Sequence, residues 1–280
     1  MTVYDHIDRD AWEVTDLGIP SFSTAINEST LSDPSPWRQE LDQWLEKETS
    51  SLDKSKPVLV TSWDPGRGKA VLDDGIAFYY HYGRILQLKP DIRRLASTAM
   101  AEMKRRFDLN INPSDNIYRK AFFGAHLRTS KDAVKAGWNP DFDEQTEHYL
   151  SQAHVSNLKV IYAAGGNDED LRRFTDKAAN RGVQLVTKYD LLSGNDLREL
   201  INLSWDQRGL MDFEILMKSS VFGGYSRSSF SHNVAFRRHF LSEVSDPFTD
   251  PQDRFVDELS RLYGRFDENW ESETLRTMWP

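Results

Sequence analysis

Between Asp91 and Phe107 the apolar residues Ile92, Leu95, Ala96, Ala99, Met103 and Phe107 return every three or four positions. That spacing lines one face of a helix, so DIRRLASTAMAEMKRRF is predicted to be helical and amphipathic. Trp37, Leu41, Trp44 and Leu45 repeat the pattern behind a Ser35 N-cap with Pro36 at the first helical position, which predicts a helix to about Glu48. PVLVTSW (57–63) is a short β-branched run, and residues 77–88 are rich in aromatics and stop at Lys89-Pro90; both are read as strands. Residues 1–35 are polar, carry the turn signals Ile19-Pro20-Ser21 and Ser32-Asp33-Pro34-Ser35-Pro36, and show little periodicity. They are expected to form an extended arm.

After residue 112 the pattern alternates between the two periods. Strands are predicted at 118–127 (YRKAFFGAHL), 159–164 (KVIYAA), 183–187 (VQLVT) and 221–223, and helices at 143–153, 169–180, 196–203, 207–217 and 229–240. Strands and helices joined by short connections are the pattern of a parallel sheet wrapped by right-handed crossovers. The expected fold class is α/β with a Rossmann-like parallel sheet. The expected organisation is a small N-terminal α/β region with its arm over 1–112, and the Rossmann-like domain over 113–280. A helix is expected at Arg254–Tyr263, followed by a Trp-ended extension packed back on the body.

Composition narrows the chemistry. The 280 residues contain no cysteine, which removes thiol nucleophiles, Cys-zinc sites, iron–sulfur clusters and disulfides. A net charge of −9 argues against a nucleic-acid binder that works by neutralising phosphates, while leaving room for a local basic pocket that takes one small phosphorylated ligand. No stretch approaches the roughly 18 apolar residues of a membrane span, and MTVYDHIDRDAWEV is acidic where a signal peptide starts basic. With the missing cysteines this predicts a cytoplasmic location, and the secretory lumen is the alternative if a leader has been removed.

Ligands of open α/β sheets bind beyond the carboxyl ends of the strands, and two segments carry suitable residues there. In Gly124–Thr129 the strand delivers His126 and Arg128 to one side and Leu127 to the other. An arginine at that position can grip a diphosphate and offset the charge that builds on it as it departs. The competing reading is a surface arginine paired with Asp132 or Asp141. In VFGGYSRSSFS (221–231), Gly223 and Gly224 permit a tight turn, and Ser228, Ser229 and Ser231 place hydroxyls beside the free N–H groups of a helix start. Such a start favours an anion. The competing reading is an ordinary serine cap. Asp64-Pro65-Gly66-Arg67-Gly68-Lys69 lacks the spacing of a phosphate loop and is read as a polar turn. Glu144, Glu147 and His148 share a helix but lack a third spaced ligand, so no metal site is expected. No Gly-x-Ser-x-Gly elbow is present, and the doublets Arg93-Arg94, Arg105-Arg106 and Arg237-Arg238 are scattered and are expected on solvated helix faces rather than along a nucleic-acid track.

Four segments together carry a family resemblance: FFGAHLRTSKDA (122–133), KVIYAAGGNDEDLRRF (159–174), QLVTKYDLL (184–192) and WDQRGLMDFEILMKSSVFGGYSRSSFSHNVAFRR (205–238). In order, spacing and the pairing of an HxR strand with an SSFS helix start, the chain resembles the C-terminal half of the GDP-fucose protein O-fucosyltransferase superfamily, especially its fungal O-fucosyltransferase-like branch. The resemblance implies a metal-independent enzyme of GT-B architecture without a cofactor, using a GDP-sugar, GDP-fucose above all, as co-substrate. It implies inverting transfer of the sugar to an acceptor hydroxyl on a protein or small molecule. Arg128 is implied to contact the diphosphate and stabilise the leaving group, with His126 lining the same site. Ser228, Ser229 and Phe230 match the stretch that holds phosphates and nucleotide, Ser231 extends it, and Asp212 matches the acidic residue that faces the nucleoside. Members of the family begin their N-terminal domain with a strand and a Gly-Gly-x-x-Asn type loop, which residues 1–115 do not show. The expected architecture is therefore GT-B-like with a reduced or rebuilt N-terminal domain. Two alternatives keep the same fold: recruitment to a different transferase or cyclase reaction in specialised metabolism, and a non-catalytic module that binds nucleotide or glycan.

Overall fold

The computed structural model describes residues 13–16, 35–48, 50, 58–61, 87–130, 133–134, 141–241 and 258–264. The chain divides into two compact units, residues 1–85 with 276–279, and residues 86–275 with 280. In the first, β1 (Glu13–Asp16) and β2 (Val58–Thr61) form a parallel pair running from Glu13↔Val58 to Asp16↔Thr61, and α1 (Ser35–Glu48) lies between them in sequence. The stretch expected to be an arm thus contains a strand. Four residues, EVTD, are too few to show a period, and their pairing with the β-branched run of β2 is non-local. Most of the strand expected at 77–88 lies outside the described residues, as does the turn at 64–69.

The second unit opens with α2 (Pro90–Phe107) and continues through β3 (Phe123–Leu127), α3 (Phe142–Val155), β4 (Val160–Gly165), α4 (Asp168–Ala179), β5 (Gln184–Val186), α5 (Lys188–Leu191), α6 (Gly194–Asn202), α7 (Trp205–Lys218), β6 (Val221–Tyr225), α8 (Ser229–Leu241) and β7 (Ser260–Tyr263). Its sheet has the order β5-β4-β3-β6-β7 with every neighbour parallel. This is the α/β, Rossmann-like class that the alternating pattern predicted.

One face of the sheet is covered by α3 and α4, where Phe123, Ala125, Leu127, Ile161 and Ala163 meet Tyr149, Leu150, Ala153, Phe174 and Ala178. The other face carries α7 and α8, and α2 packs against α7. The spacing read from the sequence explains α2: Ile92, Leu95, Ala96, Ala99, Met100 and Met103 are all buried. These residues belong to the second unit, in which α2 packs against α7. Gly124 is bare for a packing reason. A Cβ there would stand 2.7 Å from Ser219 Oγ and 2.9 Å from a Leu216 methyl of the helix that crosses above it.

Three local expectations are corrected. β3 begins at Phe123 rather than 118, since Lys120 takes a left-handed φ of 54° that an extended strand does not accommodate. The short helix α5 is not among the predicted elements; a capping box between Thr187 and Asp190 starts it. Ser260–Tyr263, expected at the end of a helix over 254–263, is instead β7, paired from Phe222↔Ser260 to Tyr225↔Tyr263. Its burial has period two, with Ser260 and Leu262 inside and Arg261 outside. Residues 254–257 lie outside the described residues.

What seats β7 is a buried cation. Arg238 of α8 has no solvent exposure. Its Nη1 donates to the carbonyls of Leu216 (3.1 Å), Met217 (2.8 Å) and Ser219 (2.7 Å), its Nη2 to those of Ser220 (3.4 Å) and Leu259 (2.8 Å), and its Nε to Ser260 Oγ (3.1 Å). The carbonyls at the end of α7 are the negative pole of that helix; Leu216 O also accepts from Ser219 N and Oγ, and the guanidinium adds donors to it and to the carbonyls of Met217 and Ser219. Arg238→Met, similar in length but without donors, is expected to lower the unfolding free energy by roughly 3–5 kcal/mol. Urea titration checks this, and a loss under about 1 kcal/mol would show that solvent can replace the guanidinium.

Candidate functional site

From β3 the chain builds β4 and β5 on one side, then returns through α7 to lay β6 on the other side of β3. The progression reverses between β3 and β6, the point at which open α/β sheets bind ligands. The register shows the crevice. β3 and β6 pair from Phe123↔Val221 only to Ala125↔Gly223, whereas β3 stays with β4 to Leu127↔Gly165 and β6 stays with β7 to Tyr225↔Tyr263. Past Ala125 and Gly223 the two strands therefore part. His126 and Arg128 form one lip, and Tyr225 to Ser231 form the other.

Ser231 spans the gap. Its Oγ accepts from the backbone N–H of Tyr225 at 3.2 Å and lies 2.7 Å from His126 Nδ1. Ser231 thus links the backbone of β6 to the imidazole of β3, with one proton shared between its hydroxyl and Nδ1. Burial, helped by the positive charge of Arg128, lowers the His126 pKa to about 3, so the ring is neutral in ordinary buffers. Nε2 faces the end of β4 at Gly165, where a Cβ would stand 3.4 Å from it and only 2.4 Å from the Leu127 carbonyl. Gly165 also has a φ of 78°, so both conformation and space require glycine. The Phe230 ring sits 4.6 Å from the imidazole and meets Phe213 edge-on at 5.7 Å.

Arg128 is half-buried just beyond the sheet, with Nη1 donating to Ser130 Oγ. Its backbone is held on both sides by Gln145, whose Oε1 accepts from Arg128 N at 2.9 Å and whose Nε2 donates to Arg128 O at 3.3 Å. The next residue, Thr129, donates to Asp170 Oδ2 at 2.5 Å. Asp141, one of the two partners suggested for a merely superficial Arg128, uses its carboxylate to accept from Glu144 N at the start of α3. Asp132, the other, lies outside the described residues.

On the opposite lip, Ser228 is buried and its Oγ accepts from Ser231 N at 3.4 Å, in the manner of a cap. Ser229 is exposed and Phe230 half-exposed, and helix geometry leaves the N–H groups of both without an intrahelical acceptor. The predicted serines thus divide by task. Ser229 faces outward with free backbone donors beside it, Ser228 caps the helix, and Ser231 joins the two strands through His126.

Asp212 stands apart from this network. It is buried on α7, with Oδ1 accepting from the Tyr162 hydroxyl at 2.7 Å and Oδ2 paired with the Lys188 ammonium. Lys188 also donates to Arg208 O at 3.3 Å. Burial pushes the Asp212 carboxyl upward, and Lys188 and Tyr162 oppose that shift. The carboxylate so placed ties α7 to β4 and α5. Glu144 and His148 are 3.9 Å apart and exposed, and Glu147 pairs with Arg181 at 2.6 Å. Among the described residues no three His, Asp or Glu side chains converge as a metal site, and no helix is long and apolar enough to cross a membrane.

Gln145, Gly165 and the Tyr162–Lys188 pair were not singled out in the sequence. Asp212 had a readable signal, an acidic residue inside the apolar run LMDFEIL, which places it on the buried side of a helix. Gln145 had none. Compared with known proteins, the family model described as GDP-fucose protein O-fucosyltransferase matches residues 76–241. No curated protein matches the chain.

Two buried imidazoles govern the acid response. His126 is held at about 3 and His232, whose Nε2 contacts the Ser226 carbonyl, at about 4, in both cases chiefly by burial. Both values lie below the unfolded value near 6.5. The unfolded chain therefore binds protons that the native state refuses. Stability is full above about pH 6.5 and is lost as pH falls towards 4 and then 3. His126→Asn should flatten this slope when urea midpoints are compared between pH 7.5 and 4.5. A slope parallel to that of the parent chain would show that His126 is not held neutral.

Proposed function

The chain belongs to the GDP-fucose protein O-fucosyltransferase family, and from that premise we propose that it is an inverting glycosyltransferase whose GDP-fucose diphosphate sits in the crevice between β3 and β6. The observation that carries the reading is the 2.7 Å contact of His126 Nδ1 with Ser231 Oγ, which joins the strand that leads to Arg128 to the first turn of α8 at the switch point of the sheet. It supports a site in which Arg128 and the first-turn N–H groups of α8 flank the diphosphate.

In this reading the guanidinium of Arg128 lies against the diphosphate, and the Ser229 hydroxyl with the N–H groups of Ser229 and Phe230 takes further phosphate oxygens. An acceptor hydroxyl oxygen attacks C1 of the sugar from the face opposite the phosphate. The bond between C1 and the phosphate oxygen breaks, its electron pair leaves with GDP, and the acceptor proton passes to a base or solvent. Negative charge grows on the departing oxygen, which is the charge Arg128 offsets, the task a divalent cation performs in other transferases. Neutral His126 lines the crevice through its contact with Ser231 and stays uncharged across the physiological pH range. Ser228 and Ser231 act through structure, one by capping α8 and the other by orienting His126. Asp212 supports the nucleoside side indirectly, by holding Lys188 and Tyr162 beneath it. No cofactor beyond the GDP-sugar enters the scheme.

Calorimetry with GDP tests the site. Binding is expected, weakened about tenfold or more by Arg128→Ala and by a smaller factor by Ser229→Ala. A chain that does not bind GDP, or whose binding ignores Arg128→Ala, would overturn the reading.

A further inference from the structure

Arg128 is the first residue of its strand with no neighbouring strand on either side. Pairing with β6 ends at Ala125 and pairing with β4 ends at Leu127. A backbone N–H and C=O in that position would ordinarily turn to water, and the residue would take whatever conformation its loop allowed. Here a side chain stands in for the missing strand. The carboxamide of Gln145 accepts from Arg128 N at 2.9 Å and donates to Arg128 O at 3.3 Å, so both polar groups of one residue are bound by both polar groups of another.

Gln145 is itself 2% exposed, a depth at which an unsatisfied amide would be costly. Its remaining donor capacity goes to the carbonyl of Asp141 at 3.3 Å, the residue that caps α3. The cap, the first turn of α3 and the backbone of Arg128 are therefore one hydrogen-bonded body. Thr129 is tethered in turn to Asp170 at the start of α4. The Arg128 side chain is long, and a small rotation of its backbone swings the guanidinium widely, so clamping φ and ψ limits where the cation can go. We propose that Gln145 is a positioning residue that aims Arg128 into the crevice between β3 and β6. The inference rests on the nucleotide-site reading for its consequence in binding, and on geometry alone for the clamp.

Two measurements test it. Amide hydrogen exchange of the Gln145→Met protein should show the Arg128 N–H exchanging at least about tenfold faster while β4 keeps its protection. Calorimetry should show about a tenfold loss of affinity for GDP and no change for guanosine, which lacks the phosphates that Arg128 would meet. On an Arg128→Ala background the Gln145→Met change should add nothing, because it acts through the side chain already removed. Gln145→Ala, which removes donor and acceptor together without adding a charge, serves if the methionine variant does not fold, and should give the same pattern. An unchanged Arg128 amide, an equal loss for GDP and guanosine, or additive effects in the double variant would each overturn the proposal. If the parent chain binds no GDP, the nucleotide reading falls by itself, and the exchange measurement alone decides whether the clamp exists.

Discussion

A guanidinium without solvent contact is stable only if its N–H groups all find acceptors, and that requirement organises the second unit around Arg238. The acceptors are the last carbonyls of α7, the turn into β6 and the residues that begin β7. Three of these acceptors belong to the negative pole of α7 and the cap that follows it, which favours a cation there. One side chain therefore sets the distance from α7 to β6, the seat of β7 and the position of the end of α8. Since α8 is a single rigid element, fixing its end also fixes its start, where Ser228 to Ser231 line the crevice.

The two edges of the sheet are thus built on different terms. At the amino edge Arg238 joins strands and helices that the ladder alone would leave loosely related. At the carboxyl edge the ladder between β3 and β6 is given up after Ala125 and Gly223, and side chains replace it. Ser231 joins the parted strands through His126, and Gln145 replaces the absent neighbour of Arg128. A continued ladder would close the crevice. Ordered side chains keep it open without surrendering geometry, and the neutral state of His126 follows from the same burial.

The regular part of this arrangement was legible in the sequence because its causes are local. The stripe of α2, the strand runs KVIYAA and VQLVT, and the serine-rich start of α8 all show in the spacing of a few residues. β7 did not show. Ser260-Arg261-Leu262-Tyr263 is too short to display a period, and it is a strand because β6 and Arg238 lie beside it. Gln145 reads as one more polar residue near a helix start, and its burial depends on the path of a loop that begins 17 positions earlier. HxR and SSFS were found as separate motifs; that Ser231 belongs with the histidine as much as with its own helix is a fact of three dimensions. The acidic residue in LMDFEIL was assigned through resemblance, but its partners Tyr162 and Lys188 come from two other elements.

Net acidity sharpens the distinction between α8 and its neighbours. A chain of charge −9 repels anions at long range, so attraction for a diphosphate must be local and short-ranged. The other helices of the second unit place acidic side chains in their first turns: Asp91 in α2, Asp143 and Glu144 in α3, Asp168 to Asp170 in α4, Asp190 in α5, Asp196 in α6 and Asp206 in α7. Each such residue offsets the positive pole of its own helix. The first turn of α8 has none, and Arg227 precedes it. Among the helices described from α2 to α8 it is the pole without an acidic side chain, and it starts on the β6 side of the parted strands. Stability favours an acidic first turn on every helix, so its omission at α8 leaves that helix short of a stabilising contact that a bound diphosphate would supply.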